Sequence, residues 1–312
     1  MKMHRHERSS SPPSVELLNR FFCLPGYTRC RLGEGRLPII DLKTPHSTAT
    51  ISLLGGQLIA FQLVNEQPVI WVSPRSKYKV DQAIRGGIPV CWPWFAQHKN
   101  LPEAPAHGLA RTAMWKVVKT EKLPNEEVLL VLELPMETVA SDVWPHSSRL
   151  EQRITLGKTL SVELITTNLG NDSLEVTEAL HTYLHVGDVR EIEVRGLEGI
   201  SYLDKMQNRL ELTQQGPVKI ESPVDRIYQN TQATCELIDP VLKRRILVHK
   251  TGSGSTIVWN PWKEKASEMA DMGEGTYEKM LCIETANVES SAIQLSPGQE
   301  HRMGLRLEIV PL

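Results

Sequence analysis

Cysteine is scarce in this chain and never grouped. The five cysteines, Cys23, Cys30, Cys91, Cys235 and Cys282, form no C-x-x-C pair, and their number is odd. Free thiols in a reducing cytosol fit that usage better than a disulfide framework, so the chain is expected to be cytoplasmic. Long apolar runs are missing too: no stretch approaches the ~20 residues that a membrane-spanning helix needs. Charge of one sign is also lacking. The 35 Lys and Arg against 37 Asp and Glu leave a net charge of -2, which gives no general attraction to nucleic acid or to an anionic membrane. With 40% hydrophobic and 23% charged residues, the composition is that of a soluble globular protein.

Common chemical signatures are absent as well. There is no Walker A sequence, no G-x-G-x-x-G opening a helix and no H-E-x-x-H. Gly252-Ser253-Gly254-Ser255-Thr256 lacks the closing glycine of a nucleophile elbow and reads as a flexible hairpin loop. His181 and His185 have the i, i+4 spacing of helical metal ligands. Their β-prone context would instead set them about 13 Å apart on a strand, too far for one ion. No metal site and no cofactor is expected. Residues Met1 to Ser14 hold Lys2, Arg5, Arg8, His4, His6 and a Ser-Pro cluster with no apolar stretch behind them, which predicts a disordered tail, not a secretory signal.

What the sequence has is β pattern. A short helix is predicted over 15–22, with Ser14 as N-cap and Glu16 in the first turn. Beyond it, strands are predicted at 50–53, 58–64, 69–72, 115–120, 127–134, 149–156, 159–167 and 174–182. Further runs follow at 190–194, 234–238, 245–249, 256–259, 280–285, 292–295 and 304–310. Gly55-Gly56, Gly157-Lys158 and Gly170-Asn171-Asp172 supply turns between them. So many strands with so little helical periodicity predict an all-β fold, a large antiparallel β-sandwich or barrel. No linker or repeat interrupts 15–312, so one domain is expected. No heptad or other assembly segment appears, and a monomer is the default.

One stretch departs from ordinary strand chemistry: Arg85-Gly86-Gly87-Ile88-Pro89-Val90-Cys91-Trp92-Pro93-Trp94-Phe95, followed by His107-Gly108-Leu109-Ala110-Arg111. Glycines let a ligand approach the main chain, and prolines stiffen the segment. Arginine at both ends suits an oxyanion, because a planar guanidinium meets phosphate or carboxylate with paired hydrogen bonds. Three other places hold reactive side chains at predicted strand ends: His181, Asp225 and Glu284. Taken singly, each has a bland reading. A histidine among apolar neighbours is more often a core residue than a catalyst, and Asp225-Arg226 reads as a surface turn with a salt bridge. Glu284, after Leu281-Cys282-Ile283, risks partial burial and needs a partner or a function. The tryptophans at 92, 94, 259 and 262 offer sugar-stacking faces, although large aromatics are more often core anchors, and at least two of them are expected to be structural.

Taken together, Arg-Gly-Gly-Ile-Pro-Val-Cys-Trp-Pro-Trp-Phe (85–95), His-Gly-Leu-Ala-Arg (107–111), Ala-Leu-His-Thr-Tyr (179–183), Asp-Arg-Ile-Tyr (225–228), Trp-Asn-Pro-Trp (259–262) and Ile-Glu-Thr-Ala (283–286) form an ordered series. That series resembles the hexose-6-phosphate mutarotases of the aldose 1-epimerase superfamily, from about residue 35 to the C-terminus. The resemblance implies a supersandwich of galactose-mutarotase type and interconversion of the anomers of a hexose 6-phosphate. It implies His181 as general acid, Glu284 as general base, Arg85 and Arg111 on the sugar phosphate, Asp225 on the sugar and His107 lining the pocket. Ala106, where some members carry a polar residue such as glutamine, and Ala96-Gln97-His98, where a glycine is usual after the aromatic, depart from the pattern and bear on substrate preference. The rivals are a non-catalytic carbohydrate-binding sandwich, a glycoside hydrolase using Asp225 and Glu284 as two carboxylates, and a regulator that kept the fold.

Overall fold

A computed structural model describes residues 14–139 and 143–312. The expected N-terminal tail, Ser14 excepted, and the histidines within it lie outside the described residues. The helix Val15–Phe22 forms at the predicted bounds. The rest is mainly antiparallel sheet, as the strand count implied.

Two large sheets carry the architecture. The nine-stranded sheet runs Val218–Lys219, Glu193–Arg195, Cys235–Asp239, Arg244–Thr251, Glu300–Pro311, Leu160–Asn168, Ser148–Leu156, Val128–Glu133, Lys116–Lys122. The eight-stranded sheet runs Leu210–Thr213, Ser201–Asp204, Val224–Tyr228, Ser255–Asn260, Met280–Asn287, Glu178–Leu180, Val90–Cys91, with Tyr183–His185 also paired to Met280–Asn287. Leu130, Ile154, Val162 and Leu305 of the first sheet share one core with Val224, Val258, Leu281 and Ile283 of the second, so the two stack as a sandwich. A four-stranded sheet, from Thr28–Leu32 to Gln57–Leu63, adds Ile40, Ile51 and Leu58 to that core.

The period-2 geometry of strands then fixes where the chemistry can sit. On Met280–Asn287, Leu281 and Ile283 enter the core between the sheets, so Cys282, Glu284 and Ala286 face the other way. Asp225 lies on that same outer face beside Ile227, whereas Val224 and Tyr228 point into the core. His181 and Tyr183 alternate likewise with the core residues Leu180 and Leu184.

Several sequence expectations are corrected. The predicted strand at 69–72 is a pair of isolated bridges, Ile70 to Leu184 and Val72 to Gly86, because its partners are the irregular arginine loop and a short strand. The run 174–182 divides into Leu174–Val176 and Glu178–Leu180, which pair with different sheets. Gly252 to Gly254 do not close a flexible hairpin. They carry the chain from the nine-stranded to the eight-stranded sheet, and Ser253 is buried, its hydroxyl donating to Ala286 O at 2.8 Å. Strands at Thr28–Leu32, Pro38–Lys43, Ser201–Asp204 and Leu210–Thr213 and the helix Trp262–Glu268 went unread, and Gly157-Lys158 extends to a three-residue loop.

Candidate active site

The arginine loop is irregular, as its glycines and prolines implied, and it is held by the main chain on both sides. Gly87 N–H donates to Trp71 O at 2.7 Å and Ile88 N–H to Leu58 O at 2.8 Å. Tyr183 N–H donates to Gly87 O at 2.9 Å, and His181 N–H to Pro89 O at 3.0 Å. The buried Gln57 amide donates to Ile84 O and Gly86 O at 3.1 and 2.6 Å. Gly87 has φ of +71°, and a Cβ there would lie 2.3 Å from Leu58 O, so only glycine admits this approach. The loop therefore sets Arg85 and the 181–183 segment side by side.

His181 follows Glu178–Leu180, and Glu284 stands in the middle of Met280–Asn287, not at a strand end as predicted. Their side chains meet, with His181 Nε2 3.3 Å from Glu284 Oε1. Both are buried, at 9% and 2% exposure, and His181 Nδ1 and Glu284 Oε2 have no hydrogen-bond partner among the described residues. Burial dominates their titration. It holds the His181 imidazole well below its ordinary value, helped by His107, Arg111 and Arg85. It pushes the Glu284 carboxyl well above the usual carboxylate range, with Asp225 adding to the rise and Lys205 opposing it. A close ion pair would shift both groups the opposite way. Burial prevails here, and the two groups titrate as a coupled unit that favours uncharged forms. Tyr183 stacks on the imidazole with ring centroids 4.8 Å apart and planes 14° apart, and Trp259 meets it edge-on at 5.9 Å.

A cavity of about 400 Å³, the size of a small-molecule site, opens beside this pair. Arg85, Pro89, Arg111, His181, Tyr183 and Asp271 line it. Arg85 Nε and Nη2 each lie 3.1 Å from Asp271 Oδ2, and its Nη1 donates to the Tyr183 hydroxyl at 3.1 Å. Of five N–H donors, one on each terminal nitrogen remains, which suits an oxyanion. Arg111 Nη2 donates to Ala106 O at 2.7 Å, which fixes the guanidinium through a backbone atom of the position where the sequence departs from its pattern.

Asp225, His107 and Glu284 belong to the same cluster but do not line the cavity. Asp225 Oδ2 pairs with Lys205 Nζ at 2.8 Å on a strand, not in the surface turn that its isolated reading suggested. Its burial raises the carboxyl, opposed by Lys205. The His107 ring lies 5.9 Å from that of His181, and its Nδ1 accepts the Ala96 N–H at 3.3 Å, so the ring proton sits on Nε2. Burial, then Arg111, Lys205 and Arg85, push His107 down to about 3, leaving it a neutral donor. Of the tryptophans, Trp92 and Trp94 are core residues whose indole N–H groups bond Thr166 Oγ1 and Pro105 O, both at 3.0 Å. Trp259 and Trp262 are half-buried, and only Trp259 touches the imidazole.

Sequence reasoning missed Tyr183, Asp271 and Lys205. Tyr183 had a signal, since it stands two residues after His181 in a β-prone stretch and must share its face. Asp271 reaches the site from a turn and Lys205 from the short 3-10 helix Lys205–Gln207, and no local spacing marks them.

This cluster has counterparts in known proteins. The aldose 1-epimerase family model matches residues 38–308. An assigned glucose-6-phosphate 1-epimerase from Cenchrus ciliaris is 36% identical over 272 residues, covering 84% of this chain and 82% of that protein. Its counterpart in Escherichia coli K12 is 34% identical, covering 84% and 86%. The crystal structure of an assigned mutarotase from Salmonella typhimurium superposes with a TM-score of 0.85 at 29% identity, covering 93% of this chain and 96% of that one. A galactose mutarotase-like protein from Clostridium acetobutylicum shares the fold at a TM-score of 0.70 and 15% identity, covering 92% and 99%. With the family match spanning nearly the whole sandwich and its outer-face cluster, the chain belongs to the aldose 1-epimerase family and is an isomerase.

Proposed function

We propose that this pocket interconverts the α and β anomers of D-glucose 6-phosphate, with Glu284 as general base, His181 as general acid and Arg85 and Arg111 on the phosphate. The observation that carries the reading is the buried His181–Glu284 pair, 3.3 Å apart, beside a cavity lined by two arginines. The relatives named for glucose 6-phosphate support the choice of substrate. Anomer exchange needs a proton taken from the C1 hydroxyl and one given to the ring oxygen. With O1 toward Glu284 and O5 toward His181, the pyranose opens. The aldehyde turns about C1–C2, and closure on its other face returns both protons with the roles exchanged. Asp225 and the neutral His107 would hold sugar hydroxyls.

The phosphate has a second effect beyond anchoring. Arg85 and Arg111 both disfavour a protonated His181. A bound dianion offsets those charges, which moves the pair's proton from Glu284 toward His181 and prepares base and acid together. The same dianion anchored by two arginines holds C6 away from the reacting carbon and orients C1.

We further propose that residues 15–312 act as one mutarotase-like domain, monomeric and cytoplasmic. The core shared by the two large sheets supports the single domain, and the five free cysteines support a reducing compartment. Among the described residues, no helix is long and apolar enough to cross a membrane. A glycoside hydrolase is disfavoured because Asp225 is engaged by Lys205 and Glu284 is paired with an imidazole, not with a second carboxylate. The test is NMR exchange spectroscopy on glucose 6-phosphate with glucose as control, for the wild type and for Glu284→Gln.

A further inference from the structure

The cavity wall includes a side chain to which nothing so far assigns a role. The segment between Val72 and Arg85 brings Lys77 and Gln82 to the cavity that His181 also lines. The segment is tied to the arginine loop by its main chain. Ser73 N–H donates to Arg85 O at 2.9 Å, Ser76 N–H to Ser73 O at 3.0 Å, and Arg85 N–H to Ser76 Oγ at 2.8 Å. Lys77, next to Ser76, is therefore held at a set offset from Arg85. It forms no ion pair among the described residues, whereas Arg85 is engaged by Asp271. Lys79, two residues on, does not line the cavity.

Charge matching gives Lys77 a task. A phosphate monoester carries about -1.5 to -2 at pH 7. Around the cavity stand Arg85, Arg111 and Lys77 against the carboxylate of Asp271, while the His181–Glu284 pair shares one proton and is neutral as a pair wherever that proton sits. Without Lys77 the wall would carry one net positive charge. With it the wall carries two, which matches the dianion. Ala106, whose carbonyl orients Arg111, contributes no polar side-chain atom to the site. We propose that Lys77 is a third phosphate contact and sets the preference of this site for phosphorylated over free sugar. The proposal rests on the mutarotase reading.

Because Lys77 is exposed, its replacement should leave the fold intact. Lys77→Met should raise the KM for glucose 6-phosphate about 5- to 10-fold with kcat within 2-fold, and should flatten the dependence of kcat/KM on salt. Exchange of free glucose should be unchanged, and Lys77→Arg should restore most of the loss. An unchanged KM and salt dependence in Lys77→Met would overturn the assignment. So would an equal loss on glucose and on its phosphate, which would mark a structural role. Wild-type protein without exchange on glucose 6-phosphate would instead overturn the mutarotase reading itself, and the Lys77 assignment with it.

Discussion

His181 and Glu284 illustrate how one sheet face can hold two titratable groups in unusual states. Neither is surrounded by compensating charge at contact distance, and the buried orphan atoms Nδ1 and Oε2 are those most in need of a polar partner. The charge state of His181 is directly measurable. In the ligand-free protein its imidazole should stay neutral well below pH 6.5, because burial and then His107, Arg111 and Arg85 oppose its charge. On saturation with glucose 6-phosphate its titration midpoint should rise, because the phosphate offsets two of those neighbours. Nitrogen-15 NMR of labelled histidine reads both states. A midpoint at or above 6.5 without ligand would contradict the electrostatic argument. At this scale the sequence was informative about identities, since Arg85, Arg111, His181 and Glu284 could all be named. It was silent about partners: Asp271 comes from 186 residues beyond Arg85 and Lys205 from a separate turn, so only the closed fold brings them in.

At the scale of elements, the site depends on places where regular structure gives way. His181 stands between two short strands, and its backbone bonds the Gly-Pro loop instead of a partner strand. Gly108 makes the same point across the loop. Its φ is +77°, and a Cβ there would lie 2.0 Å from Trp92 O, so 107–111 can cross Trp92 only with glycine at this position. Gly108→Ala should lose about 1–3 kcal/mol from the backbone conformation alone, and more from the clash with an unyielding carbonyl. Urea denaturation measures the loss. A variant as stable as the wild type would mean that the loop is freer than its bonding implies. The long hairpin strands Ser148–Leu156, which alternates along its whole length, and Leu160–Asn168, which alternates over its first half, were legible from sequence to within a residue or two. The loop elements were not, because their partners are set by tertiary contacts and not by period. Pro38–Lys43 carries Pro at its start and Asp41 within it, and so hid from a propensity reading.

At the scale of the molecule, the sandwich buries polar groups that the proposed chemistry does not use. Glu178 is fully buried, 3.1 Å from Asn287 Nδ2, 3.5 Å from Thr166 Oγ1 and 3.4 Å from the Nε2 of His301, whose own burial disfavours its charge. Burial raises the Glu178 carboxyl to about 7, against the hydrogen bonds from Asn287 and Thr166. The folded protein therefore binds a proton that the unfolded chain releases near pH 4.5. Its contribution to stability is full below about 4.5 and is lost as pH rises through about 7. The stability of the wild type relative to Glu178→Gln should fall across that window in paired urea titrations. A difference independent of pH would show that Glu178 is ionised in the fold. The sandwich itself was the most legible feature of the sequence, because it rests on many alternating runs at once. The division into sheets was not, since a strand's sequence says which face is buried but not which neighbour it pairs with.

The buried pair and the arginine-lined cavity together should exchange the anomers of a phosphorylated hexose. Two-dimensional NMR exchange spectroscopy on equilibrated glucose 6-phosphate, with glucose as the control sugar, detects that exchange. Wild-type protein should give α/β cross-peaks, stronger for the phosphate ester, and Glu284→Gln should reduce them by on the order of 10²–10⁴-fold while binding the ester within a few-fold. Saturable binding of the ester by the wild type with no cross-peaks above the spontaneous background would make this a binding site without mutarotase activity.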